Sequence, residues 1–100
     1  MDRTVLITGC SSGLGEAAAR LFAFRGWNVV ATMRHPQTGQ PLAARDHVLV
    51  TRLDIEDRTT IDEAIAKGIE RFGKIDAVVN NAGYGLFSLF EPALAHRAQN

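Results

Sequence analysis

The sequence predicts an α/β fold, a doubly wound parallel sheet of which the first four strands are present, and three features of its 100 residues carry that prediction. Short apolar runs rich in β-branched residues recur along the chain, segments with helical spacing of apolar residues separate them, and a glycine-rich turn directly follows the first run. Strands that alternate with helices pair in parallel through right-handed crossovers.

Thr4-Val5-Leu6-Ile7-Thr8 is an unbroken run suited to a strand buried on both faces. Leu14, Ala17, Ala18, Leu21 and Phe22 then share one face of a helix that Gly26 ends. Residues 28–32 (NVVAT) make the second strand. Residues 33–47 hold Pro36, Gly39 and Pro41 and read as a loop with one short helix near residues 42–45. Residues 48–53 (VLVTRL) make the third strand. Thr60 and Glu63 have capping-box spacing, and Ile61, Ile65, Ile69 and Phe72 form an apolar stripe that runs to Gly73. Residues 75–79 make the fourth strand, which leads into Asn80-Asn81-Ala82-Gly83. Beyond Tyr84 the pattern weakens, and residues 92–100 read as the opening turns of a further helix. The expectation is one partial domain over residues 1–100, truncated at its C-terminus, with the fourth strand left as an edge.

Composition narrows the function. The chain is 46% hydrophobic and 22% charged, and 11 Lys and Arg balance 11 Asp and Glu, so no net field recruits nucleic acid or an anionic membrane. No apolar run approaches the roughly 20 residues that a membrane-spanning helix needs. A single cysteine forms no internal disulfide, and a cytoplasmic location is expected from an N-terminus that enters a strand almost at once. His35, His47 and His96 lack metal-ligand spacing, so no metal is expected.

The turn after the first strand, LITGCSSGLGEA, fits two chemistries. Gly9-Cys10-Ser11-Ser12-Gly13 matches the G-x-S-x-G elbow of serine hydrolases, with Asp54 or Asp76 and then His96 following in the required order. That elbow belongs in mid-sheet, after strands that build the oxyanion loop, whereas here it follows the first strand. The same residues match a loop that cradles a dinucleotide. Gly9 allows the tight turn, Gly13 the close approach of the pyrophosphate, and Gly15 the packing of helix on strand, while the helix N-terminus favours the negative charge. Ligands of such sheets lie across the carboxyl ends of the strands. Met33-Arg34, Asp54-Ile55 and Asn81-Ala82-Gly83 therefore face the same crevice as the glycine loop, and the dinucleotide reading uses more of the sequence.

Thr8-Gly9-x-x-x-Gly13-x-Gly15, then Leu53-Asp54-Ile55, then Asn80-Asn81-Ala82-Gly83, in this order over about residues 4–90, resembles the N-terminal half of a short-chain dehydrogenase/reductase, a Rossmann-like fold. The resemblance implies a cofactor site built from Gly9, Ser11, Ser12, Gly13, Leu14, Gly15, Arg34, Asp54, Ile55, Asn81, Ala82 and Gly83. Within it, Asp54 would hydrogen-bond the adenine, Ile55 would pack near it, and Asn81 with Ala82 and Gly83 would line the cofactor ribose. Asn80 would brace the sheet.

An NAD-specific site places an acid at the end of the second strand to bind the ribose 2′-OH, and here Met33 occupies that place, followed by Arg34. A missing carboxylate removes repulsion against a 2′-phosphate, and a guanidinium offers it a planar, permanently charged fork. NADP(H) is therefore the expected cofactor, with NAD(H) still possible. The family's chemistry also needs a tyrosine, a lysine four residues later that lowers its pKa, and a serine. The only tyrosine is Tyr84, with Ser88 rather than lysine four residues on, and the only lysines are Lys67 and Lys74, so no catalytic residue is assigned. The expected function is the cofactor half of an NADP(H)-dependent oxidoreductase acting on a small-molecule alcohol or ketone, homo-oligomeric in its full-length form. The alternative is a dinucleotide-binding fragment that turns nothing over.

Overall fold

A computed structural model describes residues 2–11, 13–43 and 45–81. Four parallel strands, β1 (Thr4–Ile7), β2 (Asn28–Met33), β3 (Val48–Arg52) and β4 (Ala77–Val79), lie in the order β3-β2-β1-β4. The reversal of direction across β1 is the switch point at which doubly wound sheets open a crevice. The helices are α1 (Gly13–Phe24), α2 (Gln40–Ala43) and α3 (Arg58–Phe72), with a 3₁₀ turn at Pro36–Gly39 before α2.

Alternation along the strands feeds two apolar layers. Val5, Ile7, Val29, Ala31 and Met33 face α1 and α2, where Ala19, Ala23 and Leu42 complete the layer. Leu6 and Val30 face α3 and meet Ile61, Ala64 and Ile65. Every residue of β1 is buried, which explains why its sequence shows no polar alternation. β4 lies at one edge of the sheet and its three residues are only half-buried. Asp76 ties its start to β1 by accepting the Thr4 N–H at 2.7 Å and donating its own N–H to the Thr4 carbonyl at 2.8 Å.

Three details differ from the sequence reading. The buried face of α1 is Gly15, Ala19 and Ala23, flanked by half-buried Ala18 and Phe22, whereas Leu14 and Leu21 are 79% and 54% exposed. Small side chains win because the helix starts in contact with the β1 turn and has no room for leucine beneath it. The start of α3 is Asp57, not Thr60: Asp57 has extended backbone and its carboxylate accepts the Thr59 N–H at 3.1 Å, which places Thr60 inside the first turn. The short helix lies at Gln40–Ala43, earlier than expected, because Gly39 seats against Met33 and Pro41 suits a first helical turn. The end of α1 follows the expectation: Gly26 and Trp27 donate to the Ala23 and Phe22 carbonyls, and the Trp27 ring meets Phe22 edge-on at 5.0 Å.

The face of α1 is directly testable by denaturant unfolding. Ala19→Leu should destabilise the protein by roughly 1–3 kcal/mol through overpacking, while Leu21→Ser should stay within about 0.5 kcal/mol of wild type. The opposite ranking would restore the leucine stripe as the core.

Candidate functional site

Parallel strands bring their carboxyl ends to one edge, and here residues 8–11, 33–35, 53–56 and 80–81 emerge there. Between the first three lies a cavity of about 410 Å³. Thr8, Gly9 and Ser11 form its floor. Arg34, His35 and Thr38 line one wall, Asp54, Ile55 and Glu56 the other, and Met33 and Leu53 close the base. Its size is that of a small-ligand pocket.

Hydrogen bonds pin the floor to three strands. Thr8 donates its N–H to the Val79 carbonyl at 3.1 Å and accepts the Asn81 N–H on its hydroxyl at 2.9 Å, which joins the β1 turn to the end of β4. Cys10 donates its N–H to the Thr32 carbonyl at 3.0 Å, and the Thr32 hydroxyl donates to the Ile7 carbonyl at 2.9 Å, which joins it to β2. Gly15 stands so close beneath the turn that a Cβ there would overlap the Gly9 carbonyl, 2.6 Å from its carbon, and lie 3.0 Å from Asn81 Nδ2. A Cβ on Gly9 would lie 2.9 Å from the same Asn81 nitrogen. At Gly13 a Cβ would meet nothing within 4 Å among the described residues. The turn thus needs glycine at Gly15 for contact and at Gly13 for its positive φ of 61°.

The two walls differ in polarity. Arg34 is exposed and forms no ion pair among the described residues. The Thr38 hydroxyl donates to the His35 carbonyl at 2.7 Å and shapes the turn that carries both basic side chains. On the other wall the Asp54 side chain is 17% exposed, accepts the Glu56 N–H on Oδ1 at 3.0 Å, and has Oδ2 3.9 Å from the Arg52 guanidinium.

Of the residues singled out from sequence, Gly9, Ser11, Arg34, Asp54 and Ile55 line the cavity, Gly13 and Gly15 start α1, and Asn81 crosses the glycine turn. Leu14 projects outward from α1 and is not part of the cavity lining. Ser12, Ala82 and Gly83 lie outside the described residues, as does His96. The roles of His35, Thr38 and Glu56 as lining residues were not read from sequence; only the Pro36 to Gly39 turn signal hinted that the chain folds back there. The hydrolase reading loses the strained elbow and one of its two acids, while Asp54 shares the cavity lining with Ser11. Asp76 is bonded to Thr4 at the opposite end of the sheet, and no described non-glycine residue has the positive φ that would mark a strained elbow at Ser11.

This arrangement defines a Rossmann-type nucleotide-binding domain. The chain belongs to the short-chain dehydrogenase family, whose model matches residues 3–99. An uncharacterized oxidoreductase of Schizosaccharomyces pombe is 42% identical over 88 residues, covering 88% of this chain and 30% of that protein. The NADP-dependent 3-hydroxy acid dehydrogenase YdfG of Salmonella typhi is 40% identical over 96 residues, 94% of this chain and 37% of the relative. Among solved structures, 3-ketoacyl-(acyl-carrier-protein) reductase of Brucella melitensis complexed with NADH superposes with a TM-score of 0.72 at 33% identity, over 76% of this chain and 32% of the other. The chain therefore spans about a third of the length of the proteins it matches.

Cys10 is 1% exposed and its thiol donates to the Ile7 carbonyl at 3.3 Å. Burial pushes its pKa up from 9.0 to about 12, against a smaller lowering by the Thr32 backbone, so the helix start does not activate it. The folded state holds this proton more tightly than the unfolded chain. Its stabilising effect is complete below the ordinary thiol pKa of 9.0 and is lost as pH rises toward about 12. Thermal unfolding measured from pH 8 upward should show wild type losing stability faster above about pH 9 than Cys10→Ala does. Parallel curves for the two proteins would contradict a buried, protonated thiol.

Proposed function

We propose that this chain is the cofactor-binding portion of an NADP(H)-dependent oxidoreductase that acts on a carbonyl or secondary alcohol. The observation that carries the reading is the polarity of the cavity: the Arg34 guanidinium, unpaired among the described residues, stands on the β2 wall where a carboxylate would oppose a 2′-phosphate, and the carboxylate Asp54 stands on the β3 wall. The residues present fit the adenosine end of such a cofactor. Space at Gly13 among the described residues and the N–H groups at the start of α1 suit the pyrophosphate, and the cavity between the walls suits the nucleoside. The relative named for NADP dependence and the solved structure holding NADH both support a dinucleotide here.

In this reading Arg34 binds the 2′-phosphate through a charge-assisted fork, Asp54 accepts a hydrogen bond from the adenine, and Ile55 packs beside the ring. Asn81 holds the glycine turn against the end of β4. When bound, the nicotinamide supplies the hydride chemistry, and the protein binds and orients it. Neither described lysine reaches the cavity lining: Lys74 pairs with Asp76 at 3.4 Å at the amino end of β4, and Lys67 lies on α3 beside Leu49. Proton transfer to the substrate is accordingly assigned to neither of them. A homo-oligomeric assembly and a cytoplasmic location belong to the same proposal; among the described residues no helix is long and apolar enough to cross a membrane.

Equilibrium titration of the intact protein with NADPH and with NADH tests the reading. Arg34→Ala should weaken NADPH binding roughly tenfold or more while leaving NADH within about twofold, since a hydrogen bond to a charged group is worth about 1.5–3 kcal/mol. An unchanged ratio of the two affinities would show that Arg34 does not meet the 2′-phosphate.

A further inference from the structure

Thr60 is a buried hydroxyl with no place in the roles above. It sits in the first turn of α3, 5% exposed, behind the wall that carries Asp54. Its oxygen accepts the Asp54 N–H at 2.9 Å, and its hydroxyl is within donating distance of the Asp57 carbonyl at 2.6 Å and the Asp54 carbonyl at 3.0 Å. The Asp57 N–H closes the same turn on the Asp54 carbonyl at 2.9 Å. Both backbone groups of Asp54 are therefore fixed by α3.

The carboxylate is fixed as well. Oδ1 accepts the Glu56 N–H at 3.0 Å, whereas Oδ2, 3.9 Å from the Arg52 guanidinium, accepts no hydrogen bond among the described residues and keeps both lone pairs for a ligand. A side chain held at its backbone and at one oxygen presents the other oxygen in one direction. A carboxylate can only accept, so on a purine it selects an amino group and rejects a carbonyl. An apolar residue at Thr60 would leave the part-buried Asp54 N–H without its partner and loosen the turn, which would keep only the Asp57 and Glu56 N–H bonds.

We propose that Thr60 is a positioning residue for base selection: through the Asp54 backbone it aims the Asp54 carboxylate so that the site prefers adenine over an oxo-purine. The inference rests on the reading of Asp54 as the adenine contact. It adds a residue that touches no cofactor atom and acts only through Asp54.

The test compares the affinity of the intact protein for NADPH with that for its hypoxanthine analogue, in which a carbonyl replaces the adenine amino group. Wild type should prefer the adenine form by roughly tenfold or more, the size expected for a hydrogen bond to a charged acceptor. Asp54→Ala should abolish the preference. Thr60→Val, which keeps the shape and removes the oxygen, should reduce it to about twofold by weakening the adenine form alone, and Thr60→Ser should keep it. A merely structural role would weaken both ligands equally, so a full preference in Thr60→Val beside its loss in Asp54→Ala would overturn the role of Thr60 while sparing Asp54. No preference in wild type would overturn both. Hydrogen exchange in the wild-type protein provides a second reading that needs no variant: the Asp54 amide should be protected before any nucleotide binds, and exchange at the rate of an open amide would overturn the proposal.

Discussion

At the start of α1 the backbone of Gly15 rests against the Gly9 carbonyl, and the Asn81 amide lies across both. That contact sets the distance between the first helix and the first strand, and the rest of the molecule adapts to it. A helix held this close covers the sheet with alanines rather than leucines, so Ala19 and Ala23 form its inner face. The turn it presses on is tied to β2 through Cys10 and Thr32 and to β4 through Thr8 and Asn81. Helix, turn and three strand ends thus share one rigid junction, and it is the junction on which a dinucleotide would lie.

Around that junction the polar groups are arranged by sheet topology rather than by sequence proximity. Arg34 and Asp54 are 20 residues apart, yet they face each other because β3 is laid beside β2 in parallel register, with Met33 opposite Arg52. Each wall is shaped by a compact local device. On the β2 side the Thr38 hydroxyl closes the turn on His35, and on the β3 side Thr60 and Asp57 close the turn on Asp54. The turn that carries Arg34 and the acceptor Asp54 are therefore in place before any ligand arrives, so that on the β3 wall little ordering is required on binding.

Much of this was legible in the sequence because its signals are local. Unbroken apolar runs marked the buried strands, and Gly9, Gly13 and Gly15 after the first of them marked the junction. Arg34 drew attention because it follows Met33, which stands where an acid would bind the ribose 2′-OH. The inner face of α1 was not legible, since a stripe read by hydrophobicity favours Leu14 and Leu21, whereas the packing distance selects Gly15 and Ala19, residues that hydropathy ranks lower. The start of α3 was missed for a related reason. Thr60 and Glu63 have capping-box spacing, but the turn from Asp54 had already placed Asp57 at the cap, and Thr60 was drawn inward to serve that turn. His35, Thr38 and Glu56 reach the cavity only through the paths of their turns, which depend on contacts such as Gly39 on Met33 that no spacing rule encodes.

The central claim is that close contact at Gly15 builds the nucleotide cradle, and Gly15→Ala tests it with a single methyl group. Unfolding and NADPH titration of the intact variant should show a destabilisation at the upper end of the roughly 1–3 kcal/mol typical of overpacking, together with loss of NADPH binding. A variant with wild-type stability that binds NADPH as tightly as wild type would contradict the account.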